Sequence, residues 1–478
     1  MSAIFSVAGD EWRLWLRSKV AMFALGVMAL IITATSVLTA VQMAEARHER
    51  LHQQAVAEET FLAQPDRHPH RMVHYGHYVF RAPPPLAIID PGVDSVTGQS
   101  IFLEGHRQNT AMFADTRASA NVGSFEGLVP AAAYQLLVPL VLIALGHGVF
   151  VREREAGTLA PLLAQGLSGR SLFAGKFAAL AGLSAALLVP LAALAAIAAI
   201  MGESLALGLA VTAGYGLYLL VWCALIALVS AAAPTRGLAL GVLVLAWLAW
   251  ALVVPRMAVA TASSAVPAEG KLETDLRMSA DLRALGDGHN TADPAFAELR
   301  ANLLAQYGVE QVEDLPVNFR GVVAQTSEAE LTRVMNEYAG QRMALETAQS
   351  AAMAKFGWLS PVLAASSASR ILAGTDLTTH HRFLREAETV RYDFVRGLNE
   401  AHISKLSYAD DINRNQSEAA SLRARVSSEN WAVLDAFEFA PSPAAARWSA
   451  ATAPLTMLVV WLAGLVAAGV FAASRLKP

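Results

Sequence analysis

Phe150-Val-Arg-Glu-Arg-Glu-Ala-Gly-Thr-Leu-Ala-Pro-Leu-Leu-Ala-Gln-Gly-Leu-Ser-Gly-Arg-Ser-Leu-Phe-Ala-Gly-Lys176 is a charged island between two long apolar runs. Each flanking run is near the ~20 residues that a helix needs to cross the hydrocarbon, so the island must lie at one membrane face. Gly157 and Thr158 follow Glu153, Arg154 and Glu155. Leu159, Leu162 and Leu163 then recur at i, i+3, i+4, which puts one small apolar face on a short, surface-exposed cytosolic helix. Such a face calls for a partner. A loop obeying only the positive-inside rule accounts for the Arg and Lys but not for the ordered acidic, glycine, leucine pattern.

Working outward, the 478 residues are 55% hydrophobic and 16% charged, with a mean hydropathy of +0.40. That is too apolar for a soluble globular chain and, in places, too charged to lie wholly in a bilayer. A net charge of -4, with no Lys/Arg-rich run carrying interleaved aromatics, argues against nucleic acid as a partner. The single cysteine, Cys223, sits inside an apolar run, so neither an intrachain disulfide nor a Cys-based metal site is available.

The expected architecture is an all-α integral membrane protein with six transmembrane helices. Residues 1–19 place Phe5, Ala8, Trp12 and Trp15 at helical spacing opposite Asp10, Arg13 and Arg17, an amphipathic helix lying in the interface. Spans are expected at 20–41, 127–151, 177–201, 205–231, 237–260 and 449–473, with the island at 152–176 as a cytosolic loop. Residues 42–126 read as a polar loop or small domain, and 261–448 as a mostly helical domain. Within the latter, Asp293-Pro294 starts one helix, Ser327 opens a long one, and Phe383, Val390, Phe394 and Leu398 stripe another. The two long helices suggest a hairpin standing on the membrane.

With the N-terminus in the cytosol, that side collects Arg13, Arg17, Lys19, Arg152, Arg154, Arg170, Lys176, Arg236, Arg475 and Lys477, whereas the one short opposite loop has no Lys or Arg. This is the positive-inside pattern, and it sets both large insertions outside. His68, His70, His74 and His77 lie in the first insertion. Clustered imidazoles are metal ligands by chemistry, but Pro69 and the absence of a helical i, i+4 pair leave the geometry unspecified, and surface histidines in a polar loop are the blander and favoured account. In the second span, Tyr134 and Gln135 are polar at membrane depth. They either face a substrate path or bond to neighbouring helices.

The order Glu-Arg-Glu-x-Gly-Thr-Leu-x-x-Leu-Leu at 153–163, followed by Ser168, Arg170 and Lys176, resembles the coupling-helix loop of ABC-2 type transporter permeases. Met72-Val-His-Tyr-Gly-His-Tyr, Leu103-Glu-Gly-His-Arg-Gln-Asn and Leu372-Ala-Gly-Thr-Asp-Leu-Thr-Thr-His-His resemble a subgroup that carries a large extracytoplasmic domain of unknown function before the last span. The resemblance implies an N-terminal elbow helix and a permease subunit in a bacterial inner membrane, working with a second protomer, identical or related. It also implies two copies of an ABC ATPase, docked through Glu153, Arg154, Glu155, Gly157, Thr158, Leu159, Leu162 and Leu163. ATP and Mg would then belong to the partner, with no cofactor on this chain. Two other functions stay open: mechanotransmission to a periplasmic partner without transport, and a metal-linked maturation permease.

Catalytic patterns point the same way. Gly169-Arg-Ser-Leu-Phe-Ala-Gly-Lys-Phe has one residue too many between its glycines for a phosphate loop and Phe177 where Ser or Thr should bind magnesium. Gly-x-Ser-x-Gly does not occur. The expectation is a non-catalytic membrane subunit.

Overall fold

The computed structural model describes residues 3–112, 128–434 and 436–476, so the expected span start at Gly127 and the cationic Lys477 lie outside the described residues. Among the described residues, six helical segments are long and apolar enough to cross a membrane: Lys19–Leu62, Pro130–Glu155, Gly169–Ile200, Leu205–Ala232, Arg236–Ala265 and Ala444–Ser474. Each of the six expected spans overlaps one of these segments, with 128–129 and Met201 lying outside them. The protein is all-α apart from a two-stranded antiparallel ribbon, β1 (His77–Phe80) on β2 (Ser100–Leu103), among the described residues.

The amphipathic start is helix α1 (Ala3–Arg17), which packs along the third span; Trp15 is buried and donates to the Leu145 carbonyl at 3.3 Å. Ser18 then caps α2 (Lys19–Leu62) by accepting from the Ala21 N–H. Its 44 residues make a rod of about 66 Å, roughly twice the hydrocarbon thickness. The first part of the 42–126 segment is therefore a continuation of the first span rather than a loop. Residues 42–62 contain no Gly or Pro and are rich in Ala, Glu, Gln and Arg, so nothing stops the helix until Pro65.

Two spans contain a π-helical turn, Ala133–Leu137 and Ala249–Val253, each shortly before a proline. Pro139 has no N–H to give to the Gln135 carbonyl, which instead accepts from the Tyr218 hydroxyl at 2.6 Å. The neighbouring Leu136 carbonyl takes the Trp247 indole N–H at 2.9 Å. Side chains from the fourth and fifth spans thus satisfy the backbone that the proline releases, as a bilayer demands. Between the third and fourth spans, Glu203 meets Arg447 of the last span through two bonds, 2.6 and 3.0 Å, and both side chains are buried.

Beyond the spans, α3 (Pro69–Tyr75) and the ribbon lead into the second large region. There, after α4 (Val138–Gly146), α5 (Val151–Glu155), α6 (Leu159–Ala164), α7 (Gly169–Leu187), α8 (Val189–Ile200), α9 (Leu205–Ala232), α10 (Arg236–Leu248) and α11 (Val254–Ala265) of the second to fifth spans and the island, α12 (Lys271–Ala284), α13 (Ala297–Tyr307), α14 (Phe319–Ala354), α15 (Pro361–Ala373) and α16 (Leu377–Lys405) follow one another. The long pair, α14 of 36 residues and α16 of 29, packs together as the expected hairpin. Its connection is unexpected. α15 packs between the fourth and last spans, with Val362, Ala364, Ala365 and Leu372 buried in the same core as the spans. A second core, built on Phe61, Met72, Val73, Phe383, Phe394, Leu398 and Trp431, joins the upper part of α2 and α3 to α16.

Candidate functional site

The island folds as two short helices, α5 (Val151–Glu155) and α6 (Leu159–Ala164). The break is a Schellman motif: the Thr158 N–H reaches the Glu153 carbonyl at 2.9 Å and the Gly157 N–H the Arg154 carbonyl at 3.2 Å. Gly157 at φ 71° supplies the left-handed residue that this end requires.

The acidic and basic residues are spent inside the protomer. Lys176 on the third span is 2% exposed and pairs with Glu153 and, at 2.5 Å, with the fully buried Glu11 of α1; Glu11 also takes Arg152 at 2.6 Å. Arg154 donates to the Ala231 carbonyl at 2.6 Å and to that of Ala233, the free carbonyls at the end of the fourth span. Glu155 accepts from the Arg236 backbone N–H at 2.9 Å and from its guanidinium, at the start of the fifth span. One short helix is thereby tied to α1 and to the third, fourth and fifth spans.

The leucine face differs from the expectation that Leu159, Leu162 and Leu163 stay free for a partner. Leu159 is 7% exposed and belongs to the core of the bundle, Leu163 and Leu167 pack on that core, and Leu162 is half-buried. The bundle base offers the nearest apolar surface, so the stripe turns inward. Gly157, Thr158, Ala160, Pro161, Ala164 and Gln165 form the exposed face instead.

Tyr134 is fully buried and donates to the Leu187 carbonyl at 2.5 Å, beside the bend before Pro190. Gln135 donates to the Tyr215 hydroxyl at 3.0 Å, Tyr215 to Ser369 at 3.0 Å, and Ser369 to Asp90 at 2.6 Å. Both side chains make interhelical bonds, and the chain from Gln135 carries that contact into α15 and the first insertion. Between α14 and α16 lies a cleft of about 530 Å³ lined by Thr332, Asn336, Glu388, Arg391 and Tyr392 with Asn109 of the first insertion. Its volume suits a small ligand.

The four histidines do not form one group. His68 is buried, with burial holding its pKa down; its Nε2 lies 3.1 Å from Asp411, which His402 also contacts at 2.6 Å. His77 meets the Phe61 ring edge-on, and burial pushes its pKa down to about 4. His70 and His74 do meet, Nε2 to Nε2 at 3.1 Å, one turn apart on α3. Pro69 is the first residue of that helix rather than an interruption, which makes the two an i, i+4 pair. His106 and His289 complete their surroundings, and sequence reasoning missed both. The one local signal was the Glu-Gly-His turn at 104–106 after β2.

A six-span bundle with a docked amphipathic helix, a charge-clamped turn at the base and a large helical addition defines a multi-pass membrane subunit. Residues 108–261 match the family model of the ABC-2 family transporter protein, and residues 271–440 match a domain of unknown function, DUF3526. An ABC-2 transporter domain followed by this second domain matches an ABC-2 permease with a large extra domain after the membrane domain. No curated protein matches it.

Proposed function

We propose that this protein is the permease subunit of an ATP-driven transporter of the bacterial inner membrane. It would work as two protomers, identical or paired with a related subunit, each bearing on one of two separate ATPase subunits that bind ATP and Mg. The ABC-2 match supports a permease, and one observation carries the coupling: α6 offers an exposed face of small residues while α5 is fastened to four membrane elements. Movement of a docked partner would be passed to all four. Ala160→Asp with Ala164→Asp changes that exposed face only. The double variant should insert and melt like the parent yet lose co-purification with the ATPase. Undiminished co-purification sinks the docking assignment.

Termini in the cytosol and both insertions outside follow from the distribution of Lys and Arg at the span ends. A cysteine placed at the exposed Ala280 should react with a membrane-impermeant maleimide in cells whose outer membrane is permeabilised; one at Ser168 should not, and the buried Cys223 should stay silent. Labelling at Ser168 alone inverts the orientation.

A further inference from the structure

His70, His74, His106 and His289 come from three separate segments: α3, the turn after β2, and the loop between α12 and α13. All six pairs of rings have centroids 4.7 to 6.1 Å apart. Four imidazoles bound tetrahedrally to one ion at roughly 2.0–2.1 Å would place their centroids about 5 Å apart. One ring nitrogen from each of the four lies within 4.8 Å of the others. We propose that these four histidines bind a single divalent transition-metal ion, with zinc as the ion that suits four nitrogen donors in this arrangement.

The surroundings favour ligands over packed surface histidines. His106 Nδ1 sits 2.9 Å from Glu328, a buried carboxylate, while its Nε2 is buried with no hydrogen-bond partner. His106 is the one non-glycine residue at positive φ among the described residues, at 64°, so the backbone is held in a costly conformation that presents this ring. His289 repeats the arrangement, with Nδ1 3.2 Å from Asp287. A carboxylate on one ring nitrogen fixes the tautomer and leaves the other as the donor, the usual outer support of metal-bound histidine. Gly288 makes the approach of this loop possible, since a Cβ there would lie 2.3 Å from the Ser327 hydroxyl, next to Glu328.

The nearby group of His68, His402 and Asp411 does not compete. Asp411 already accepts from His68, His402 and Asn318, the last at 3.2 Å, and from the Arg414 guanidinium, so a cation already fills the place of an ion. The four-histidine cluster contains no carboxylate or thiolate ligand, which selects borderline ions over calcium and magnesium. His74 and His289 are exposed and leave a way in from solvent.

The test uses the full chain purified without a histidine tag, stripped with chelator and titrated with Zn²⁺ and with Co²⁺. One ion per chain is expected, with the intense visible absorption of tetrahedral cobalt. His289→Ala, in an exposed loop, should abolish it, and Asp287→Asn should weaken binding about 10–100-fold through loss of outer support. His48→Ala with His52→Ala, an exposed pair elsewhere on α2, should leave the stoichiometry at one. No bound ion in the parent, the weak spectrum of octahedral cobalt, or undiminished binding in His289→Ala that disappears in the His48/His52 variant would each overturn the assignment.

Discussion

Arg391→Met should destabilise the extra domain by about 3–5 kcal/mol, the range for removing one partner of a buried ion pair. Arg391 is 1% exposed, and all five of its N–H groups are used: Nη1 reaches Glu328 at 2.5 Å and the Glu104 carbonyl at 3.2 Å, Nη2 reaches Thr332 and Glu388, and Nε reaches Glu388 at 2.8 Å. Methionine keeps most of the volume but strands two carboxylates. The effect should depend on pH with a definite sign. Burial alone would raise the Glu328 pKa, but the bond to His106 and the charge of Arg391 outweigh it and bring it below the ordinary value of 4.5. A carboxyl depressed on folding adds stability above its unfolded pKa and loses it as pH falls through the folded value. The deficit of Arg391→Met should therefore be full at pH 7 and shrink on acidification, as the stranded carboxyls take up protons. Arg391→Lys keeps the charge without the planar fork and should lie between the two. Protease resistance of the domain, followed through a denaturant series in the detergent-solubilised chain, measures this; a loss below ~1 kcal/mol at neutral pH would mean that solvent reaches the site.

The spans were legible because hydropathy acts locally: some twenty apolar residues must cross, whatever else the chain does. α15 was legible in principle, since Pro361–Ala373 is apolar but too short to span and so belongs to a buried helix; the proline at its start reads first as a break. Direction was harder. The stripe Leu159, Leu162, Leu163 gives a face, but periodicity does not say whether that face meets a partner or the protein's own core. Likewise, the charges of 152–155 read as free for docking until Glu11, Lys176, Ala231, Ala233 and Arg236 are seen to take them up. The histidines mark the limit. His70 and His74 are neighbours in sequence, whereas His106 and His289 come from different insertions and only the fold brings them together.

Lys176→Met should uncouple the island from the bundle, with an effect on the energised cycle far larger than that of changing any exposed residue of α6 alone. Lys176 joins Glu153 of α5 to Glu11 of α1, and removing it leaves Glu11 with Arg152 and Glu153 without a cation. A penalty of about 3 kcal/mol on the docked arrangement raises the undocked fraction roughly a hundredfold. ATP turnover in a complex reconstituted with the proposed ATPase partner should then continue at its basal rate and lose its response to the permease. Loss of stability alone could produce the same result, and a second variant separates the two. Glu11→Met with Lys176→Met, made in a Glu153→Gln background so that no carboxylate is stranded, replaces the buried charges by uncharged groups, a change that is often neutral or stabilising for the fold. It restores no tie between α5 and α1. If the charge clamp transmits movement, the triple variant should melt like the parent and remain uncoupled; recovery of the response together with stability would reduce the clamp to a fold-stabilising contact and move transmission to Arg154 and Glu155 at the ends of the fourth and fifth spans.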